Sequence, residues 1–352
     1  MAEDGSHVAM AKKSRTRCRL RAIGCDGYPT AGWSDSVWAL PVCLPLQGSG
    51  AWSRAGRATR SGSDCPERLA NAMLSLLTPS PDPSMWLCLQ VHPVGIGLSS
   101  WFWDRFIGEW RGGAVFTIDL IGCGDSDPWE PADEGMFVPL DWVRAIEALW
   151  REQIGRKCVV VVQGGLAPVG VQLAARRTSE FNGADAVGGL VLASPPTFEA
   201  MRQGLDQEQV ANNWRWLTSP PGQASYYLLR LRAFVAFFSN LFLFRDRADE
   251  EFVQRACRGA TIEARWPVFA FNSGLVIAKG FADEIETIAG EGLKVMILSG
   301  SDDSRTAERE ASALSLIPSC QLVRIAGKNV LPWESARDTA AAILDMAQTI
   351  TA

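Results

Sequence analysis

Residues 158–176, CVVVVQGGLAPVGVQLAAR, decide the fold. Four consecutive valines, Val159 to Val162, read as a strand covered on both faces. β-branched side chains suit a pleated surface, and an unbroken apolar run leaves no face for water. Gly164-Gly165 predicts a sharp reversal, because glycine enters backbone conformations closed to other residues. The chain from Leu166 onward reads as a helix of good formers that closes at Ala174-Ala175-Arg176-Arg177.

The same rhythm continues on both sides. Short apolar runs predict strands near 86–92, 114–119, 158–163, 188–194, 294–299 and 320–325. Helical spacing is expected near 100–110, 136–154, 165–178, 304–316 and 335–349. Strands alternating with helices imply an α/β protein, a doubly wound, mostly parallel sheet with helices on both faces. Residues 197–275 interrupt the alternation. They hold Trp214, Trp216, the SPPG turn at 219–222 and the phenylalanine-rich run 228–244, LLRLRAFVAFFSNLFLF.

Strand, Gly-Gly turn and helix together resemble the strand–elbow–helix of the α/β-hydrolase superfamily, where G-x-S-x-G presents a serine at the top of the sheet. Five further stretches carry the resemblance in the order that family uses. MWLCLQVHPVGIG (85–97) resembles the strand and loop that supply an oxyanion-hole amide. VFTIDLIGCGDSDPW (115–129) resembles the D-L-x-G-x-G-x-S segment, and GGLVLASPP (188–196) the strand after the elbow helix. LKVMILSGSDD (293–303) resembles the strand and loop of the triad acid. QLVRIAGKNVLPWE (321–334) resembles the last strand and its histidine loop. The wording HPVGIGLSSWFWDRF, QGGLAP and NVLPWE is most similar to a serine-less subgroup of plants and algae. The resemblance implies the α/β-hydrolase fold with an inserted helical cap. The core would occupy 66–196 and 276–352, and the cap 197–275.

Laid on that pattern, Gly164 takes the serine slot and Gln163 precedes it. Val162 and Leu166 stand for the flanking glycines. The acid slot offers Asp302 or Asp303, and the family spacing points to Asp303. The histidine slot holds Asn329 or Val330. Acyl transfer by a triad needs a nucleophile, a base and an acid that orients the base. Glycine cannot attack, and neither asparagine nor valine accepts a proton near neutral pH, so serine-esterase activity is not expected. Asp303 without an imidazole partner reads as a solvated loop carboxylate, with Lys328 or Arg305 as pairing candidates.

The chain has two histidines, His7 and His92. His92 ends the first core strand, where the family uses a histidine to hold a loop; ligand contact or general-base work are its alternatives. Asp119 ends the next strand in a supporting role, and Cys123 would be reactive only if exposed beside a positive charge. Gln163, with the amides of Gly164, Gly165 and Leu166 at a helix N-terminus, forms a candidate ligand site for an anion or a carbonyl oxygen. Trp333 is placed to fill the site mouth. Three readings follow. The first is a non-hydrolytic protein that binds a small apolar or carbonyl-containing ligand, or a protein partner. The second is an enzyme that uses non-triad groups such as His92, Gln163 or Asp119. The third is an interaction module whose cavity is filled by side chains such as Trp333. None of them calls for a cofactor or a metal.

The net charge of −5 argues against a nucleic-acid surface. Nine cysteines are scattered with no C-x-x-C pair, which disfavours a disulfide framework or a zinc site. No integral membrane segment is expected, since 228–244 is too short once Arg230 and Arg232 are excluded. That run reads as buried helix, or as a lipid-facing lid if phenylalanines 234, 237, 238, 242 and 244 are exposed. Residues 1–65 read as a disordered leader. Their basic, acid-poor composition fits a transit peptide, chloroplast by the plant and algal resemblance, with mitochondrion or cytoplasm as alternatives. Residues 66–77, PERLANAMLSLL, have helical spacing.

Overall fold

The computed structural model describes residues 20–22, 88–129, 138–179 and 181–351. The expected helix 66–77, His7 and most of the segment read as a leader lie outside the described residues. Seven strands are present: β1 Leu20–Ala22, β2 Cys88–Val91, β3 Val115–Ile118, β4 Cys158–Gln163, β5 Val187–Ala193, β6 Lys294–Gly300 and β7 Gln321–Ile325. They form one sheet in the order β1-β3-β2-β4-β5-β6-β7. The six strands from β2 to β7 are parallel, and all six coincide with the apolar runs of the sequence. One three-residue piece of the segment read as a leader, Leu20–Ala22, adds an antiparallel edge to β3.

Parallel strands need crossover connections, which cover both faces with helices. Alternation along β4 shows the division. Val160 and Val162 join one core, with Trp142, Ile146, Val169, Ile285 and Ile288 from the helices Leu140–Leu149, Ala167–Ala175 and Ala282–Gly290. Val159 and Val161 join the other, with Phe106, Ile107, Ile343 and Met346 from the helices Asp104–Glu109 and Ala336–Thr351. A strand buried on both faces needs no polar alternation, which is why the valine run could be read directly.

Between β5 and β6 the chain makes a long helical excursion. It includes Gln207–Thr218, Pro220–Leu229, Arg232–Phe238, Glu250–Gly259 and Arg265–Ser273. Three of these helices start at side-chain caps: Asp206 accepts from the amide of Gln209, Ser219 from that of Gly222 and Asp249 from that of Phe252.

The carboxyl ends of β6 and β7 approach the loop that follows β7 closely. A methyl group on Gly300 would overlap the carbonyl oxygens of Lys328 and Gly327. Gly300→Ala should therefore push that loop off the sheet and cost about 2 kcal/mol or more, seen as a lower urea midpoint with an unchanged slope.

Candidate functional site

The carboxyl edge of the sheet gathers the loops where ligands bind in folds of this kind. β4 ends at Gln163 in extended conformation, and Gly164 turns the chain with φ +62°. Gly164, Gly165 and Leu166 form a short 3-10 turn that runs straight into the helix Ala167–Ala175, whose first turn contains Pro168. The left-handed conformation at Gly164 is the one a glycine adopts without strain and other residues rarely do. All three turn residues are buried. The bend of a nucleophile elbow is present, with no side chain on it.

Asn329 lies in the loop after β7 and is only 1% exposed. It makes four connections. Its Nδ2 donates to the carbonyl of Phe242 at 2.8 Å, and its amide donates to that of Leu243 at 3.4 Å. Its carbonyl accepts from Gln163 Nε2 at 3.0 Å, and its Oδ1 accepts from Arg309 Nη1 at 3.2 Å. Next to it, Lys328 Nζ donates to the carbonyl of Leu241 at 2.7 Å. Three successive carbonyls at the end of the helical run Arg232–Leu243 thus receive donors from one loop. These are the carbonyls a helix terminus leaves without partners, and a cation there is favoured by the helix dipole.

Arg309 closes the other side. The same Nη1 pairs with Asp303 Oδ2, and both side chains are about 5% exposed or less. Asp303 Oδ1 accepts from the amide of Arg305 at 3.0 Å. The expectation of a solvated carboxylate is thus corrected. Asp303 is buried, its ionic partner is Arg309, Arg305 contributes only its backbone, and Lys328 serves the helix end instead. A buried carboxylate needs such a counter-charge, because desolvation of an unpaired ion costs more than the fold can offset. The sequence reading passed over Arg309. Its signal was there: Thr306, Arg309, Glu310 and Ala313 form one buried stripe of the helix Thr306–Leu316, so an arginine occupies a core position.

His92 is fully buried and both ring nitrogens are engaged. Nδ1 faces the carbonyl of Pro93 at 2.8 Å, and Nε2 accepts from the amide of Leu120 at 3.1 Å. Accepting at Nε2 places the proton on Nδ1. Burial holds its pKa below the ordinary histidine range, against the opposing pull of Asp119 and the Pro93 carbonyl. Asp119 accepts from the amides of Ser100 at 2.6 Å and Asp125 at 3.0 Å, so it ties two loops together. Cys123 is buried, and burial raises its thiol well above the reactive range.

Trp333 is 1% exposed. Its ring meets Trp101 edge-on at 5.7 Å, and the Arg105 guanidinium lies 4.9 Å from its centroid. It packs the second core rather than standing on a loop surface. The structure brings Gln163, Gly164, Asp303 and Asn329 into one connected group. It places His92 with Asp119 and Trp333 with Trp101.

One polar group at this edge was not anticipated. Gln163 pairs with Ala193 in register, so Ser194 follows β5 beside the elbow. Ser194 has φ +46°, a strained value for a residue with a side chain, and its buried hydroxyl has no hydrogen-bond partner among the described residues. The buried Gln163 Oε1 also lacks one. Ser-Pro-Pro after a strand hinted at an irregular turn but not at its hand.

Two outcomes test these networks. Arg309→Met should destabilise the protein by about 3–5 kcal/mol at neutral pH, and adding Asp303→Leu should recover most of that loss in urea unfolding. For His92 the folded pKa lies below the unfolded one, so only the unfolded chain binds a proton as pH falls through about 6.5. Its stabilising contribution is full above that pH and is lost below it. The decline in stability between about pH 7 and 5 should be shallower in His92→Asn than in the parent.

The geometry agrees with the comparisons. A sequence model described as "Alpha/beta hydrolase family" matches residues 91–342. A carboxylesterase of the thaumarchaeon Nitrososphaera gargenis superposes with a TM-score of 0.55 at 16% identity, covering 78% of this chain and 93% of that one. A loop variant of a haloalkane dehalogenase from Bradyrhizobium elkanii gives 0.54 at 22% identity, covering 77% and 91%. At such identities the likeness speaks to the fold alone. A search of curated proteins finds no match. The parallel sheet, the elbow after its central strand and a family match over well over half the sequence lead to one conclusion: this chain belongs to the α/β-hydrolase family.

Proposed function

We propose that this protein is a non-hydrolytic member of its family that binds a small carbonyl- or carboxylate-bearing ligand at the elbow. One observation carries the reading. The elbow residue is a glycine, and the residue on the base loop, Asn329, spends its side chain on the Phe242 carbonyl and Arg309. A nucleophile and a base are both missing from the positions where attack on an acyl carbon needs them. His92 does not replace the base, because both of its nitrogens are held by backbone.

The binding half of the reading is supported by what the elbow offers. The leading amides of the turn, that of Gly165 among them, have no carbonyl ahead of them in the helix, and the turn follows directly on the carboxyl end of β4. A helix N-terminus favours negative charge or a carbonyl oxygen. Gln163 Oε1 and Ser194 Oγ are buried polar atoms without partners, and buried polar atoms cost free energy until something bonds to them. Together they offer an acceptor, a hydroxyl and an amide around a bend that carries no side chain. A ligand with one carbonyl or carboxylate and a protonated oxygen or nitrogen would satisfy all three.

Native mass spectrometry of the purified protein should reveal a co-purifying small molecule of this class. Its affinity, measured by calorimetry, should fall about tenfold or more in Gln163→Leu. The parent should neither hydrolyse p-nitrophenyl acetate nor be labelled by a fluorophosphonate, and Gly164→Ser should behave the same way because no base is supplied. Stoichiometric fluorophosphonate labelling of the parent would overturn the reading.

A further inference from the structure

The helices Pro220–Leu229 and Arg232–Leu243 carry a surface unlike the rest of the molecule. Tyr227, Leu228, Leu231, Phe234, Phe237 and Leu241 are between 39% and 57% exposed. On the second helix the exposed positions recur at three- and four-residue intervals, while Val235 and Ser239, one turn apart, are buried against the protein. Phe238 joins this surface to itself. It lies 6.4 Å from Phe234, 5.4 Å from Phe237 and 6.0 Å from Phe242 between ring centroids. The helix is therefore amphipathic with its aromatic side outward. Of the five phenylalanines whose exposure was in question, two are exposed, Phe238 and Phe242 are half-buried, and Phe244 is buried.

Charge selects what this face can meet. Residues 209–245 contain no aspartate or glutamate and four arginines, Arg215, Arg230, Arg232 and Arg245, in a chain of net charge −5. Arg232 pairs with Glu250, and Arg245 lies 3.8 Å from Asp246. Arg215 is exposed, and Arg230 is half-buried at the joint within electrostatic reach of Glu263. Among the described residues no single helix is long and apolar enough to cross a membrane. The two helices pass that test only together, and they bend by 80° at their joint, where Arg230 sits. A bent pair with arginines at the joint is unsuited to spanning and suited to lying in an interface. A second copy of the chain is a poorer occupant, because two such faces in contact would bring their arginines together with no aspartate or glutamate within residues 209–245 to answer those of the other copy.

From this pattern we infer that the face of Tyr227 to Leu241 docks on an anionic lipid surface. The aromatic and leucine side chains enter the boundary between headgroups and acyl chains, and the arginines meet the phosphates. Leu241, Phe242 and Leu243, at the end of the docking helix, are the residues whose carbonyls are held by Lys328 and Asn329. The lipid-facing helix is thus fastened to the loop of the candidate site, so a docked molecule presents that site at a fixed attitude to the membrane. This inference does not depend on whether the elbow binds a ligand.

Vesicle co-sedimentation of the full chain tests it. The protein should pellet with equimolar phosphatidylcholine–phosphatidylglycerol vesicles and less with phosphatidylcholine alone. Phe237→Glu with Leu241→Glu should weaken the partitioning about tenfold or more, with an unchanged circular dichroism spectrum. Both positions are outward-facing, so the fold should tolerate the change. Arg230→Gln should lower binding to the anionic vesicles only. Absence of binding by the parent would overturn the inference. So would a dimer in light scattering that Phe237→Glu dissolves, which would make the face a self-interface.

Discussion

The Arg309 guanidinium, held between Asp303 and Asn329, is the contact on which the carboxyl edge of this sheet depends. One buried cation answers the buried carboxylate of the loop after β6, Asp303, and orients the amide of the loop after β7. That amide then holds the end of a helix from the excursion, and the backbone carbonyl of Asn329 accepts from the Gln163 amide of the elbow strand. Separate pieces of chain thus meet at Asn329, which Arg309 ties to the acid loop. In a triad enzyme an imidazole would stand between acid and nucleophile and would have to stay free to move a proton. Here the contacts between the loops are made by groups that do not exchange protons near neutral pH. Arginine stays charged, and asparagine does not titrate.

Most of the fold was legible in the sequence, and the reasons are local. Val159 to Val162 could only be a strand covered on both faces, and Gly164 could only serve a turn that others would find strained. The order of apolar runs then set the parallel sheet. The residue types at the elbow and on the two loops, Gly164, Asp303 and Asn329, were equally legible, because they rest on sequence rather than on contacts. What the sequence withheld was pairing. Asp303 was read as solvated because its partner lies six residues on, one helical turn into Thr306–Leu316, and nothing in spacing alone says that an arginine faces inward there. Ser194 was overlooked because a backbone hand is a tertiary outcome. Asn329 as a hub could not be seen either, since three of its partners, Gln163, Phe242 and Leu243, sit more than eighty residues away.

His92 and Trp333 illustrate how residues with chemical promise become architecture. The imidazole bridges Pro93 and Leu120, so it fixes the start of one loop against the end of a neighbouring strand. A neutral ring does this at little electrostatic cost, whereas a charged one in the same place would need a partner that Asp119 cannot fully be, its oxygens being given to Ser100 and Asp125. Trp333 follows Asn329 by one turn and anchors the loop by lying under Arg105 and against Trp101. The loop after β7 is held by packing on one side and by hydrogen bonds on the other.

The left-handed bend at Gly164 also constrains the chain's future. A serine arriving there would bear backbone strain at once and find no imidazole to activate it. A histidine arriving at 329 would abandon the helix end and confront an arginine already bound to the acid. Loss of that arginine would strand a buried charge. Each of these three changes is disfavoured when made singly, the first by backbone strain and the other two because they break contacts that Asp303, Arg309 and Asn329 share. Arg309 and Asn329 are therefore coupled, and the arrangement at this edge resists piecemeal replacement.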